Sequence, residues 1–222
     1  MTNTGDTKGC TMCGTCCIKG GATLHSEDLP LIREGVFDLT DLVTLRKGEM
    51  AHDPVQGILV PLEEEIIKLR GRDRSWTCTF YEPESRACTI YDNRPAECRV
   101  LDCNDTAPLA EMYDVDRINR ADLLPEGHPL LELAAEHEEK CPPRELTRLG
   151  SAAKADDVDA YRALIEMVTY DREIRRLATE RGNLPEESLD FFLGRSMEAL
   201  LATVGIRVRS GAQGLKLVFR GK

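Results

Sequence analysis

The sequence predicts an α+β protein: a small antiparallel β-meander with short helices around a cysteine-ligated metal site, followed by a C-terminal helical pair and a β-hairpin. Three observations predict it. Short runs rich in β-branched and aromatic residues, separated by turn residues, fill the stretch from 57 to 91. Beyond residue 157 the apolar positions recur at three- and four-residue steps instead. Finally, eight of the nine cysteines lie before Asn104, in two groups.

Taken in order, "LHSEDLPLIREG" (24–35) reads as a short helix with Ser26 as N-cap, acidic residues in its first turn and Gly35 at its stop. "DLTDLVTLRKGE" (38–49) has the same character. "GILVPL" (57–62) then reads as a strand, "IIKLR" and "SWTCTFY" as strands flanking the turn "GRDR", and "WTCTFY" and "CTIY" as strands flanking "EPESRA". "NRPAECRVLDC" leaves the last strand through Pro95 into a helical turn. "PLLELAAEHEEK" (129–140) is a helix that must end before Cys141-Pro142-Pro143, because a residue ahead of proline disfavours helix. The stretch 153–183 is the longest helix, with Val158, Tyr161, Leu164, Ile165, Val168 and Ile174 on its apolar side and Gly182-Asn183 as its stop. A second amphipathic helix covers 185–205, and a hairpin around "GAQG" closes the chain. This divides the chain into a cysteine-cluster domain at 1–149 and a helical pair plus hairpin at 150–222.

Composition narrows the chemistry. A chain of 222 residues can bury a core without disulfides. "MTNTGDTKGC" has no apolar stretch for a signal peptide and no apolar run is long enough to span a bilayer, so a soluble cytoplasmic protein away from membranes is expected. In that compartment clustered thiols serve metals or redox chemistry rather than structural disulfides. A formal charge of −10 argues against nucleic acid, which is bound by neutralising phosphates. The exception is the tail bearing Arg207, Arg209, Lys216, Arg220 and Lys222, read as a charged solvated edge.

The candidate metal ligands are Cys10, Cys13, Cys16, Cys17, Cys78, Cys88, Cys98, Cys103 and Cys141. Were 10–17 one helix, Cys10, Cys13 and Cys17 would fall within about 60° of one another and Cys16 would point away. As a loop, Cys-x2-Cys-x2-Cys is the spacing by which ferredoxins hold a cubane cluster. Adjacent Cys16 and Cys17 do not easily serve one tetrahedral ion, so the pair points to two metal positions, one polynuclear cluster, or a ligand beside a non-ligand. Cys78 and Cys88 sit on facing strands, and Cys141-Pro142 resembles the closing element of a ferredoxin run. Cys16 and Cys141 also fit the small buried hydrophobe best. Zinc favours closed four-thiolate sites with Cys-x2-Cys knuckles, whereas iron–sulfur clusters accept denser runs. Iron–sulfur, 4Fe–4S foremost, is the reading carried forward, with zinc the alternative.

"CTMCGTCC" followed by "CTFYEPESRACTIYDNRPAECR" resembles the YkgJ-like CxxCxxCC cysteine-cluster family, described as a zinc- or iron-chelating domain and often labelled flagellin N-methylase-like. The resemblance covers about residues 10 to 141. It implies a metal site of about eight thiolates and no agreed reaction. The chain lacks a glycine-rich adenosylmethionine loop, so methylation is not transferred.

Around the second cysteine set, Arg94 and Arg99 are candidate cluster-binding residues, since guanidinium groups stabilise an anionic centre; Arg94 equally suits the turn carbonyls. Trp76 is expected to cover the core face of the hairpin. His25, His52, His128 and His137 are expected at the surface, with His25 and His52 able to complete a metal site, and Glu63-Glu64-Glu65 and Asp156-Asp157 as solvated faces or helix N-terminal charges. No hydrolase or kinase motif is present. The expected function is to hold one or two iron–sulfur clusters, for electron transfer or as accessory to a redox or modifying enzyme with an unspecified redox or protein partner. The alternative is a structural zinc module whose C-terminal helices bind a partner protein.

Overall fold

A computed structural model describes residues 10–53, 56–72, 75–212 and 214–220. Asp73 and Arg74 of the turn expected at 71–74, Gln213 of the terminal turn and Lys222 of the basic tail lie outside the described residues. The fold is mixed α+β. Short helices α1 (Thr15–Lys19) and α2 (Leu29–Arg33) precede strands β1 (Leu42–Leu45), β2 (Met50–Asp53), β3 (Ile58–Pro61), β4 (Ile66–Leu69), β5 (Tyr81–Glu82) and β6 (Ala87–Cys88). Helices α3 (Ala96–Val100), α4 (Ala107–Met112), α5 (Arg120–Leu123), α6 (Pro129–Lys140), α7 (Leu146–Lys154), α8 (Val158–Glu180), α9 (Leu189–Phe192) and α10 (Met197–Thr203) follow, and β7 (Ile206–Gly211) with β8 (Gly214–Phe219) forms the closing hairpin.

Among the described residues the strands make four separate antiparallel pairs, β1 with β4, β2 with β3, β5 with β6 and β7 with β8. The expected continuous meander is thus divided. The segment 42–45, expected as helix, is a strand because every one of its residues is buried. A strand covered on both faces shows an unbroken apolar run, and periodicity alone cannot separate that from a buried helix. Its one hydroxyl, on Thr44, donates to the Phe191 carbonyl at 2.6 Å. Since β1 takes the edge of β4, "SWTCTFY" meets the preceding segment through the isolated bridge between Gly71 and Cys78 rather than as a strand of one sheet.

The short helix near residue 26 starts one residue earlier than expected. His25 is the cap, its N–H donating to Asp28 Oδ2 at 3.0 Å, while the Ser26 hydroxyl donates to the Asp116 carbonyl instead. The helix expected over 185–205 breaks into α9 and α10 at Gly194, whose φ is 70° and whose absent Cβ would lie 2.7 Å from Arg46 Cγ. The long helix begins at Val158 under an Asp157 cap that accepts from Asp159 and Ala160 N–H groups, and α7 precedes it as a separate helix.

Two cores result. One gathers Leu24, Phe37, Leu42, Ile67, Leu69, Tyr81 and Ile118 with Phe191–Leu193 borrowed from α9. The other packs α7, α8, α10 and the terminal hairpin around Leu164, Val168 and Leu201, with Cys141 inside it. Between them runs a buried polar chain. Arg46, fully buried, donates to the Cys141 carbonyl at 3.0 Å and to His137 Nδ1 at 3.2 Å. His137 Nε2 then donates to Asp171 Oδ1 at 2.9 Å, and Asp171 also accepts from Arg175 Nε and the Met197 N–H, both at 2.9 Å. His137 and His25 are therefore interior residues, contrary to the surface expectation, because each of them is fixed by hydrogen bonds. Glu65 likewise is paired to Arg120 rather than free in solvent.

Burial alone would raise the Asp171 carboxyl, but His137, Arg175 and the Met197 N–H together hold it at about 2, and burial keeps His137 below its ordinary 6.5. Both folded values are depressed. The stability they contribute is full above the unfolded values and is lost as pH falls, first through His137 and then between about pH 4 and about pH 2 through Asp171, the latter contributing about 2 kcal/mol. The Asp171→Asn variant should therefore be less stable by about 3 kcal/mol at pH 7 in urea unfolding, with the gap to wild type narrowing toward pH 3. A gap constant over that range would contradict the assignment.

Candidate metal centre

The residues Cys10 to Gly14 form a loop, with α1 beginning after it, so neither a single helix nor a simple wrap describes 10–17. Met12 and Gly14 both have positive φ, 53° and 78°. The reversal lets the Met12 N–H donate to Cys10 Sγ at 3.4 Å, the kind of amide contact that supports a charged sulfur. Gly14 is required twice over, by its φ and because a Cβ there would lie 2.2 Å from the Tyr81 hydroxyl. Cys16 and Cys17 then stand on successive positions of α1 with sulfurs 3.9 Å apart.

The second cysteine set is fastened to the first by main chain. The Cys78 N–H donates to the Cys17 carbonyl at 2.7 Å. Cys88 closes β6 opposite Tyr81. Pro95, with its fixed φ of −57°, caps α3 and places Cys98 in the first turn of that helix. Two carboxylates anchor this helix to the N-terminal segment, Asp28 accepting from the Ala96 N–H at 2.8 Å and Glu97 from the Thr23 N–H at 2.7 Å. Cys103 follows on the exposed loop after α3.

Cys10, Cys13, Cys16, Cys17, Cys78, Cys88, Cys98 and Cys103 all line one cavity of about 970 Å³. Cys141 does not. Its thiol is fully buried in the C-terminal core and donates to the Met167 carbonyl at 3.4 Å, with Asp171 and Arg46 as its charged neighbours. All nine thiols are free. Among the described residues no three Cys, His, Asp or Glu side chains already converge on one point at ion-binding spacing. The eight thiols stand around a shared space.

Electrostatics distinguishes the eight. The Thr15 hydroxyl, 3.3 Å from Cys13 Sγ, brings that thiol down to about 7. The Cys17 thiol beside Cys16 brings Cys16 down to about 6, with the Arg94 guanidinium assisting, and the same contact pushes Cys17 up. Burial, followed by the charge of Cys78 and Cys16, pushes Cys98 up to about 12. Burial also raises Cys78 and Cys88. The charge of Cys16 also acts on Cys17, Cys78, Cys88, Cys98 and Cys103. Sequence spacing, which set Cys16 apart from its neighbours, gives no sign of this. As a donor set, soft sulfurs that oppose one another's ionisation fit a thiophilic cation, whose binding releases protons.

Arg94 donates to the Tyr91 carbonyl at 2.7 Å, lies over the Tyr91 ring at 3.7 Å, and lines the cavity. It thus satisfies the turn and faces the thiols at once. Arg99 turns outward, donating to the Arg94 carbonyl and, at 2.7 Å, to Glu27. Trp76 is 42 % exposed at the cavity mouth with the Arg195 guanidinium over its ring, so it does not cover a core face. His52 lines the cavity. His25 does not, its Nδ1 donating to the Val115 carbonyl at 2.7 Å and its other nitrogen facing Glu97.

Residues 9–114 match the model of the CxxCxxCC family, described as "Putative zinc- or iron-chelating domain". This segment is a CxxCxxCC domain. The match supports metal binding, by zinc or iron, in this part of the chain. The matched segment holds the eight cysteines of the cavity and ends before Cys141. No curated protein and no solved structure matches the chain. The described residues include no helix long and apolar enough to cross a membrane.

The CxxCxxCC loop depends on Gly14. Gly14→Ala should cost about 1–3 kcal/mol in local strain and displace Tyr81. We expect it to lower the metal retained after dialysis against a chelator; retention equal to wild type would show that the loop tolerates a Cβ.

Proposed function

We propose that Cys10, Cys13, Cys16, Cys17, Cys78, Cys88, Cys98 and Cys103 hold an iron–sulfur centre, one cluster or two, used for electron transfer or as accessory to a redox or modifying enzyme. The observation that carries this reading is the arrangement of eight thiols, from segments far apart in the chain, on the wall of one cavity. A single tetrahedral ion takes four thiolates, so this set suits a polynuclear centre or two sites. Cys16 and Cys17, on successive positions of α1 with sulfurs 3.9 Å apart, suit two neighbouring metal positions or one polynuclear centre. When bound, an iron–sulfur cluster supplies reversible one-electron chemistry. The chain's own part is to hold the sulfurs through the Cys17–Cys78 main-chain bond, to direct the Met12 N–H at Cys10 and to set Arg94 beside Cys16 and Cys88. Cys141 is left out of the set because its thiol belongs to the other core. Arg99 is left to hold the turn.

Zinc is the second reading, supported by the Cys10–Cys13 knuckle and allowed by the family's description, which names zinc beside iron. In that case the metal is structural and the C-terminal helices carry the partner contact.

Purification without oxygen, with iron, inorganic sulfide and zinc measured per chain, separates the two. Iron with stoichiometric sulfide and a brown colour is the expected result; a colourless protein with stoichiometric zinc selects the second reading, and absence of both overturns each. Cys16→Ser should remove most of the metal, while Cys141→Ala should leave metal content unchanged and lower thermal stability. The reverse pattern would refute the assignment of ligands.

A further inference from the structure

Strand β4 carries a cation where apolar residues surround it. Ile66, Ile67 and Leu69 are buried, yet Lys68 between them faces the cysteine cavity. Its ammonium donates to the Thr23 hydroxyl at 3.0 Å, and the N–H of that same threonine donates to Glu97. Thr23 and Lys68 are also bridged through their main chains, which fixes the stem of the side chain. The charged and ionisable groups that act on it are Glu97, Arg117, Cys98 and Cys78, of which Glu97, Cys98 and Cys78 line the same cavity.

Burial disfavours an ammonium there, and burial does push Lys68 below the ordinary lysine range. Glu97 offsets only part of this cost, since it already accepts from Thr23 and faces His25. Lys68 shares one cavity wall with Cys78 and Cys98, where metal-bound thiolates would place negative charge. The cavity as a whole shows the same bias. Its charged wall among the described residues is Lys19, Lys68, Arg86, Arg94 and Arg195 against the single carboxylate of Glu97, on a chain of net charge −10.

We propose that Lys68 is a positioning residue of the metal centre: held by Thr23, its ammonium offsets the negative charge of the metal-bound thiolates of Cys78 and Cys98. The inference rests on the thiolate site described above and assigns a role to a residue outside the cysteine motifs. It predicts that the cation strengthens metal binding and, where the centre is redox-active, favours the reduced and more negative state.

The test uses the full chain as wild type, Lys68→Met, Lys68→Arg and Thr23→Val. Zinc alone is titrated into each metal-free protein against a chromophoric chelator, and the midpoint potential of the iron-loaded form is measured. Lys68→Met should weaken zinc binding by about tenfold to a hundredfold, the range for groups just outside the ligands, and lower the potential, with about 59 mV for each tenfold change in relative affinity. Lys68→Arg should recover most of both, which a merely space-filling role would not produce. Should Lys68→Met fail to fold by circular dichroism, Thr23→Val, which keeps the ammonium but removes its anchor, should show a smaller shift in the same directions. Wild-type affinity and potential in folded Lys68→Met, or in Thr23→Val where Lys68→Met does not fold, would overturn the inference and leave the site standing. A wild-type chain that takes up no metal would overturn both.

Discussion

Through the hydrogen bond from the Cys78 amide to the Cys17 carbonyl, two segments remote in sequence become opposite walls of one cavity. The rest of the N-terminal structure is arranged around that contact. Strand β4 is held against β1 so that its outer residues border the space, α3 is pinned by Asp28 and Glu97 so that Cys98 faces it, and Gly14 lets the first loop pass over Tyr81. Apart from the steric fit at Gly14, these ties are hydrogen bonds, polar and directional. The hydrophobic contribution comes from the core beneath, to which α9 lends Phe191 and Phe192.

This division of labour gives the cavity its chemical character. Burial, and after it the charge of neighbouring thiolates, opposes the ionisation of Cys78 and Cys98. A cation that binds sulfur relieves it, so folding and chelation are linked. The cations on the wall act in the same direction. The overall negative charge of the chain keeps this basic concavity a local exception rather than a general attraction for anions.

Much of this was legible in the sequence, because the motifs concerned are covalently local. The dense run 10–17, the turn at Pro95, α6, α8 and the closing hairpin follow from spacing, proline chemistry and periodicity. What was not legible depends on contacts made across the chain. Residues 42–45 read as helix because burial on both faces erases alternation, and the helix over 185–205 breaks because Arg46, remote in sequence, occupies the space beside Gly194. Cys141-Pro142 resembled the closing element of a ferredoxin run, but the surroundings of that thiol are set by α8. The roles of His137 and Arg46 leave no motif, since a buried polar chain draws single residues from separate elements. A lysine in the middle of "IIKL" was a visible irregularity, and only the fold gives it a partner.

X-ray absorption at the metal edge of the chain purified without oxygen tests the central claim most directly. The account predicts sulfur as the sole ligand type around the metal, with the number of sulfur neighbours falling when Cys16 is replaced. Coordination dominated by nitrogen or oxygen, or an unchanged spectrum in that variant, would contradict it.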